Sequence, residues 1–153
     1  MSSIDLSREQ RLQAKLYGIF PIYEFMQLSV VSLGNPLRCF VPLLPQTSNH
    51  FGVMHAGVLF SLAEAAAGLS ITQHREFAKM LIIAQNVTVT YRRPARTGVE
   101  AIVSLDDRFL HSLREKLVED PRHRFQIPVE LSDQTGEIVT RATCDFQLRA
   151  AAI

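Results

Sequence analysis

Residues Val53 to Thr72, VMHAGVLFSLAEAAAGLSIT, form the longest apolar run in the 153-residue chain. The run is long enough to span a bilayer, but its content argues against one. His55 and Glu64 lie inside it, and much of the remainder is Ala and Gly. A carboxylate at the middle of a membrane helix costs about 2.5–3.5 kcal/mol. The run therefore predicts a helix, from about residue 53 to 74, that is apolar on most sides and buried in a protein core. Whatever else the chain builds must cover that helix.

Composition sets the remaining bounds. Sixteen basic residues stand against fifteen acidic ones, a net charge of +1. That balance argues against a nucleic-acid binder, which needs a basic excess for phosphate. An apolar fraction of 47% with 20% charged residues excludes a disordered chain, and the length fits one domain over residues 1–153. Cys39 and Cys144 are far apart, with no C-x-x-C pair, so neither a disulfide framework nor a zinc knuckle is expected. The start, MSSIDLSREQRLQAKL, is polar and mixed in charge, unlike a leader peptide. The expectation is a cytoplasmic protein with no membrane association.

Ser7 with Gln10 resembles a capping box, and Leu12, Leu16, Ile19 and Tyr23 follow at helical spacing. This predicts an N-terminal helical extension over about 7–26, bent or broken near Pro21 and serving to pack. Gln27–Leu33 and Leu37–Leu44 read as a hairpin around Gly34-Asn35-Pro36, with Pro42 marking an edge or bulge. After the buried helix, Met80–Tyr91 is the clearest strand, with Val87, Val89 and Tyr91 on one face. Arg92–Gly98 reads as a turn, Val99–Leu105 as a strand and Asp106–Glu119 as an amphipathic helix. Phe125–Leu131 and Glu137–Leu148 are the last strands, around the Asp133–Gly136 turn. Strands joined by tight turns predict an antiparallel sheet, and a curved sheet wrapped around one long central helix gives an α+β fold.

The chemistry concentrates on that helix. Glu64 shares a face with Gly57, Phe60, Ser61, Gly68 and Ile71, none of them charged. It is either on a narrow solvent-facing stripe or buried as a base or nucleophile with a raised pKa. At the helix start, Gly52 and Gly57 serve a turn and tight packing, or they let a ligand approach backbone N–H groups that favour developing negative charge. Gly57 and Glu64 lie about 10 Å apart along the axis, so one helix cannot bring both to one carbonyl. Two opposed copies can, which points to a site shared between subunits. Arg92, Arg93 and Arg96 form a basic cluster that is either solvated or suited to phosphate. The five histidines show no metal-binding spacing, and no serine-nucleophile motif is present.

Asn49-x-x-Gly52-x-x-His55-x-Gly57-x-x-Phe60-x-Leu62-Ala63-Glu64 resembles the N-x-x-G-x-x-H-G-G-x-x-F-x-L-A-D/E signature of hotdog-fold acyl-CoA thioesterases. Val87–Gly98, with its R-P-A-x-x-G, and the FQIPVELSDQTGEIVTRATCDFQLR end are similar to the same fold, most like the branch typified by the YiiD C-terminal domain. The resemblance covers roughly residues 27–148. It implies that Glu64 activates water or attacks the thioester carbonyl, while the Gly57 amide of the other subunit polarises it. Asn49 would orient water or thioester, and His55 would sit beside the thioester or hold the loop. Gly52, Ala56 and Phe60 would line the substrate site, with Phe60 and residues near Met54 against the acyl group, and Arg92, Arg93 and Arg96 would hold coenzyme A phosphates. Ala56 departs from the signature by replacing its first Gly of H-G-G.

The resemblance further implies a homodimer, with a tetramer as an open alternative, and an acyl-CoA as the small-molecule partner. Coenzyme A belongs to the substrate, so no cofactor and no metal are expected. Two other activities remain open: an acyl-thioester binding domain without turnover, and a hydroxyacyl-thioester dehydratase pairing His55 with Glu64.

Overall fold

The computed structural model describes residues 6–150. The outermost residues of the expected 1–153 domain, and the very start of the chain on which the leader-free reading partly rests, lie outside the described residues. Ser7 caps the first helix, α1 (Arg8–Ile19), through the expected box: its Oγ accepts from the Gln10 N–H, and the Gln10 side chain accepts from the Ser7 N–H. Pro21 then opens a second short helix, α2 (Pro21–Phe25), where its missing N–H costs nothing. The extension is thus broken rather than bent.

The chain continues through β1 (Ser29–Ser32), β2 (Leu37–Val41), a 3-10 turn at Pro45–Thr47, and α3 (Ala56–Thr72). It ends in β3 (Met80–Tyr91), β4 (Val99–Val103), α4 (Asp107–Glu119), β5 (Arg124–Asp133) and β6 (Ile138–Ala150). All six strands join one sheet in the order β1-β2-β4-β5-β6-β3, and every pairing is antiparallel.

Three expectations change. The buried helix has 17 residues, Ala56–Thr72, and is shorter than expected at both ends. Val53 and Met54 leave it because Met54 bridges to Ser48 and donates its N–H to the Ala95 carbonyl at 2.9 Å. Pro42 is neither edge nor bulge. β2 lies inside the sheet between β1 and β4, and stops at Val41 because Pro42 has no N–H for the ladder. Arg92–Gly98 is not a hairpin turn. β3 sits at one sheet edge and β4 lies beyond β6 and β5, so the segment is a crossover.

The helix α3 packs against β2, β3, β4, β5 and β6. Ala63, Ala65, Ala66 and Ala67 are all buried, and their small side chains let the helix lie close to its surroundings. Leu62 and Ile71 are fully buried, each worth about 1.5–3 kcal/mol of burial. Beneath them β5 alternates cleanly: Phe125, Ile127, Val129 and Leu131 point in, while Gln126, Pro128 and Glu130 point to solvent. Gly98, which ends the R-P-A-x-x-G stretch, meets a steric demand. A Cβ there would lie 2.3 Å from the Phe40 ring.

Candidate active site

Hydrogen bonds shape the loop that delivers α3. Asn49 Oδ1 accepts from the N–H groups of Phe51 at 2.9 Å and Val53 at 3.4 Å, and the Asn49 N–H donates to the Val53 carbonyl at 2.8 Å. The Gly52 N–H donates to the Asn49 carbonyl, with Gly52 at φ +71°, a left-handed conformation that favours glycine. Asn49-x-x-Gly52 is therefore a closed turn, and the Asn49 side-chain oxygen is engaged in holding it. Buried Thr47 anchors the loop from below, donating to the Pro42 carbonyl while its own carbonyl accepts from the His55 N–H.

His55 is the N-cap of α3. Its Nδ1 accepts from the Gly57 N–H at 2.9 Å, which leaves the proton of the neutral ring on Nε2. Gly57 makes room for that ring, since a Cβ would sit 3.1 Å from Nδ1. The Gly57 amide expected to polarise a carbonyl is thus donated to His55. The neighbouring Ala56 N–H has no partner among the described residues. The Ala56 carbonyl accepts from the Tyr91 hydroxyl at 3.1 Å, tying the end of β3 to the helix start.

Two turns along α3, Glu64 is half-buried and has no ion-pair partner among the described residues. Burial pushes its carboxyl above the usual carboxylate range, opposed by a hydrogen-bonding Tyr23. Tyr23, from α2, is buried, and desolvation first and the facing Glu64 second hold its hydroxyl well above the usual tyrosine range. The hydroxyl therefore keeps its proton at neutral pH and faces Glu64 as a neutral phenol. The Cys144 thiol also feels Glu64, and burial pushes it up to about 12. Burial likewise holds Cys39 at about 12, so both cysteines are packed thiols rather than nucleophiles.

A recess of about 500 Å³ runs between α2 and the first turns of α3. Phe60, His55 and Gly57 line it, and Gly52 and Ala56 do not; Ile22 and Phe25 from α2 and Met26 after it complete that side. Sequence reasoning assigned this N-terminal stretch to packing and missed both Tyr23 and the wall beside it. The one signal was the apolar Ile22-x-x-Phe25 pair following the break at Pro21, and nothing local says what such a pair faces.

None of the three arginines lines the recess. Arg93 pairs with Glu137, and Arg92 and Arg93 line a shallow depression with Gly136, Ile138 and Arg141 rather than the recess. Arg92 and Arg96 form no ion pair among the described residues. Among the described residues no cluster of three His, Cys, Asp or Glu is placed to hold a metal ion, and no helix is long and apolar enough to cross a membrane.

Residues 21–148 match the family described as Domain of unknown function (DUF4442), and the chain belongs to that family. Its fold is the hotdog-like fold of a group of thioesterase structures. A Pseudomonas aeruginosa protein of unknown function, PA5026, described as a probable thioesterase, superposes with a TM-score of 0.82 at 26% identity, over 92% of this chain and 95% of its own. The Haemophilus influenzae thioesterase HI1161 superposes at 0.76 with 14% identity, covering 100% of this chain and 98% of its own. The Pseudomonas aeruginosa thioesterase PA1618, solved as a mutant, gives 0.74 at 15% identity over 95% and 96%. No curated protein matches the sequence.

Proposed function

We propose that the chain is a thioesterase that hydrolyses an acyl-CoA to the free acid and coenzyme A. The observation that carries this reading is Glu64: a half-buried carboxylate without a cation partner among the described residues, its pKa raised by burial, on the helix that the fold shares with thioesterases. Such a group is a usable base near neutral pH. Glu64 takes a proton from water as the oxygen attacks the thioester carbon. The tetrahedral intermediate collapses with cleavage of the C–S bond, and the proton passes to the leaving thiolate. Direct attack by the Glu64 carboxylate, followed by hydrolysis of the anhydride, gives the same products.

The carbonyl oxygen is polarised by the start of a second copy's α3, since Gly57 and Glu64 of one helix lie about 10 Å apart. Gly57 serves once His55 releases its amide, and the Ala56 N–H lies beside it. Asn49 holds the loop in place for this. Dimerisation through the long open edge of β3 supplies the second copy, and dimers pair further if a tetramer forms. Arg92 and Arg96 offer guanidinium groups to the phosphates of coenzyme A. No cofactor takes part, and both free thiols suit a cytosolic protein.

A second reading has its own support. With the Gly57 N–H donated to His55, the site also fits a domain that holds an acyl thioester without cleaving it. Purified protein and Glu64→Gln are compared on short, medium, long and aromatic acyl-CoAs, following thioester loss by chromatography. Wild-type turnover that falls a hundredfold or more in Glu64→Gln supports the hydrolase. Binding without turnover in either supports the binding domain, and an enoyl product identifies a dehydratase.

A further inference from the structure

The recess between α2 and α3 is lined by both apolar and polar groups. Ile22 and Phe25, three residues apart on α2, remain 52% and 60% exposed, and Phe60 on α3 remains 40% exposed. Single exposed apolar side chains are ordinary, but these three border one concavity whose floor includes fully buried Met26. Gln46, Ser48, His55 and Ser61 contribute polar groups to the same lining. A volume of about 500 Å³ lies within the usual range for a small-molecule site. The recess therefore matches a ligand that carries both apolar and polar groups.

Glu64 does not line the recess itself but follows on the helix that does. Phe60 precedes Glu64 by four residues on α3, one helical turn on the same face. Tyr23, which follows Ile22 on α2, lies near enough to the Glu64 carboxyl to oppose the effect of its burial. The same five-residue helix thus acts on the candidate base through one side chain and walls the recess with two others.

We propose that α2 forms the acyl-side wall of the site, that the substrate's acyl group is an apolar aliphatic chain or aryl ring lying against Phe60, and that Phe25 and Ile22 determine its size. This rests on the hydrolase reading for the reacting end and goes beyond it in naming the acyl class and the residues that select it. Removing or adding bulk at Phe25 changes how much chain the recess admits, and a single methylene in such a pocket is worth about 10–200-fold in discrimination.

The test uses the full chain: wild type, Phe25→Ala, Phe25→Trp and Ile22→Trp, assayed on saturated acyl-CoAs from acetyl to palmitoyl and on benzoyl-CoA. Exposure of both positions keeps the fold out of question. Both Trp variants are expected to move the kcat/KM optimum to shorter chains and to lower kcat/KM for the best wild-type substrate about tenfold or more, and Phe25→Ala to move it to longer ones. Superposable profiles in all four proteins overturn the proposal and leave hydrolysis standing. Unchanged profiles with a lower solution mass in Phe25→Ala overturn it too, because a second copy then covers the recess. If the wild type cleaves none of the panel, the hydrolase reading fails separately. Affinities for S-alkyl-CoA thioethers then decide: chain-length dependence that shifts with Phe25 supports the wall, and indifference to Phe25 overturns it.

Discussion

The Tyr23 hydroxyl of α2 faces the Glu64 carboxyl of α3, so that the N-terminal helical segment acts on the helix that carries the candidate site. The two influences on Glu64 oppose each other. Burial raises its pKa, and the Tyr23 donor, which favours the charged form, lowers it. Tyr23→Phe removes the donor and keeps the ring. Its expected effect is a shift of the acid limb of the kcat/KM–pH profile to higher pH, with the alkaline plateau retained because Glu64 is still present. A fall in rate with the limb unmoved means that Tyr23 only packs.

Glu64 also couples pH to stability. Its folded-state pKa lies above the unfolded value of 4.5, so between the two the folded chain holds more protons than the unfolded one. Its contribution is fully present below the unfolded pKa and is lost as pH rises through the folded pKa. Glu64→Gln has no such loss. Thermal melts are expected to show a higher Tm for Glu64→Gln than for wild type at pH 8, with the gap narrowing toward pH 4. Equal pH dependence in the two proteins contradicts burial of the charge.

The elements that sequence made legible are those set by local spacing. The apolar run from Val53, the Ser7–Gln10 capping box and the alternation in Val87–Tyr91 each follow from neighbours within a turn or a strand. Glu64 stood out for a local reason as well: no cation lies three or four residues away on its helix. What sequence left hidden depends on contacts between distant segments. Tyr23 reads as one more apolar position of a packing helix until α2 is laid against α3. His55 reads as a site residue, and only the folded loop turns its ring back onto the Gly57 N–H as a cap. Arg92–Gly98 has the composition of a tight turn, yet the sheet order makes it a crossover, because β6 pairs with β3 and both β6 and β5 lie between β3 and β4.

Gly98 is the clearest such case. Its need for a hydrogen in place of a side chain comes from the Phe40 ring on β2, not from its own backbone. A methyl placed 2.3 Å from that ring forces the β2–β4 contact apart. Gly98→Ala is expected to lower stability by about 1–3 kcal/mol, as overpacking does. Phe40→Leu in the same chain is expected to restore part of the loss. Denaturant unfolding of both single variants and the pair measures the coupling, and strict additivity shows that Phe40 is not the cause.

The sharing of one site between two subunits is testable without a structure of the assembly. Glu64→Gln removes the base, and Gly57→Pro removes the amide in the first turn of α3, where proline is tolerated. Each variant alone is expected to be inactive. If the base of one protomer works with the amide of the other, a mixed dimer places both defects in one site and leaves the second site intact. Equal mixing after denaturation and refolding puts half the dimers in that mixed form. Activity is then expected to return to roughly a quarter of the wild-type value. If base and amide act within one protomer, every site in the mixture carries one defect and no activity returns. Light scattering on the same samples checks that dimers form, and circular dichroism checks that Gly57→Pro keeps its helix.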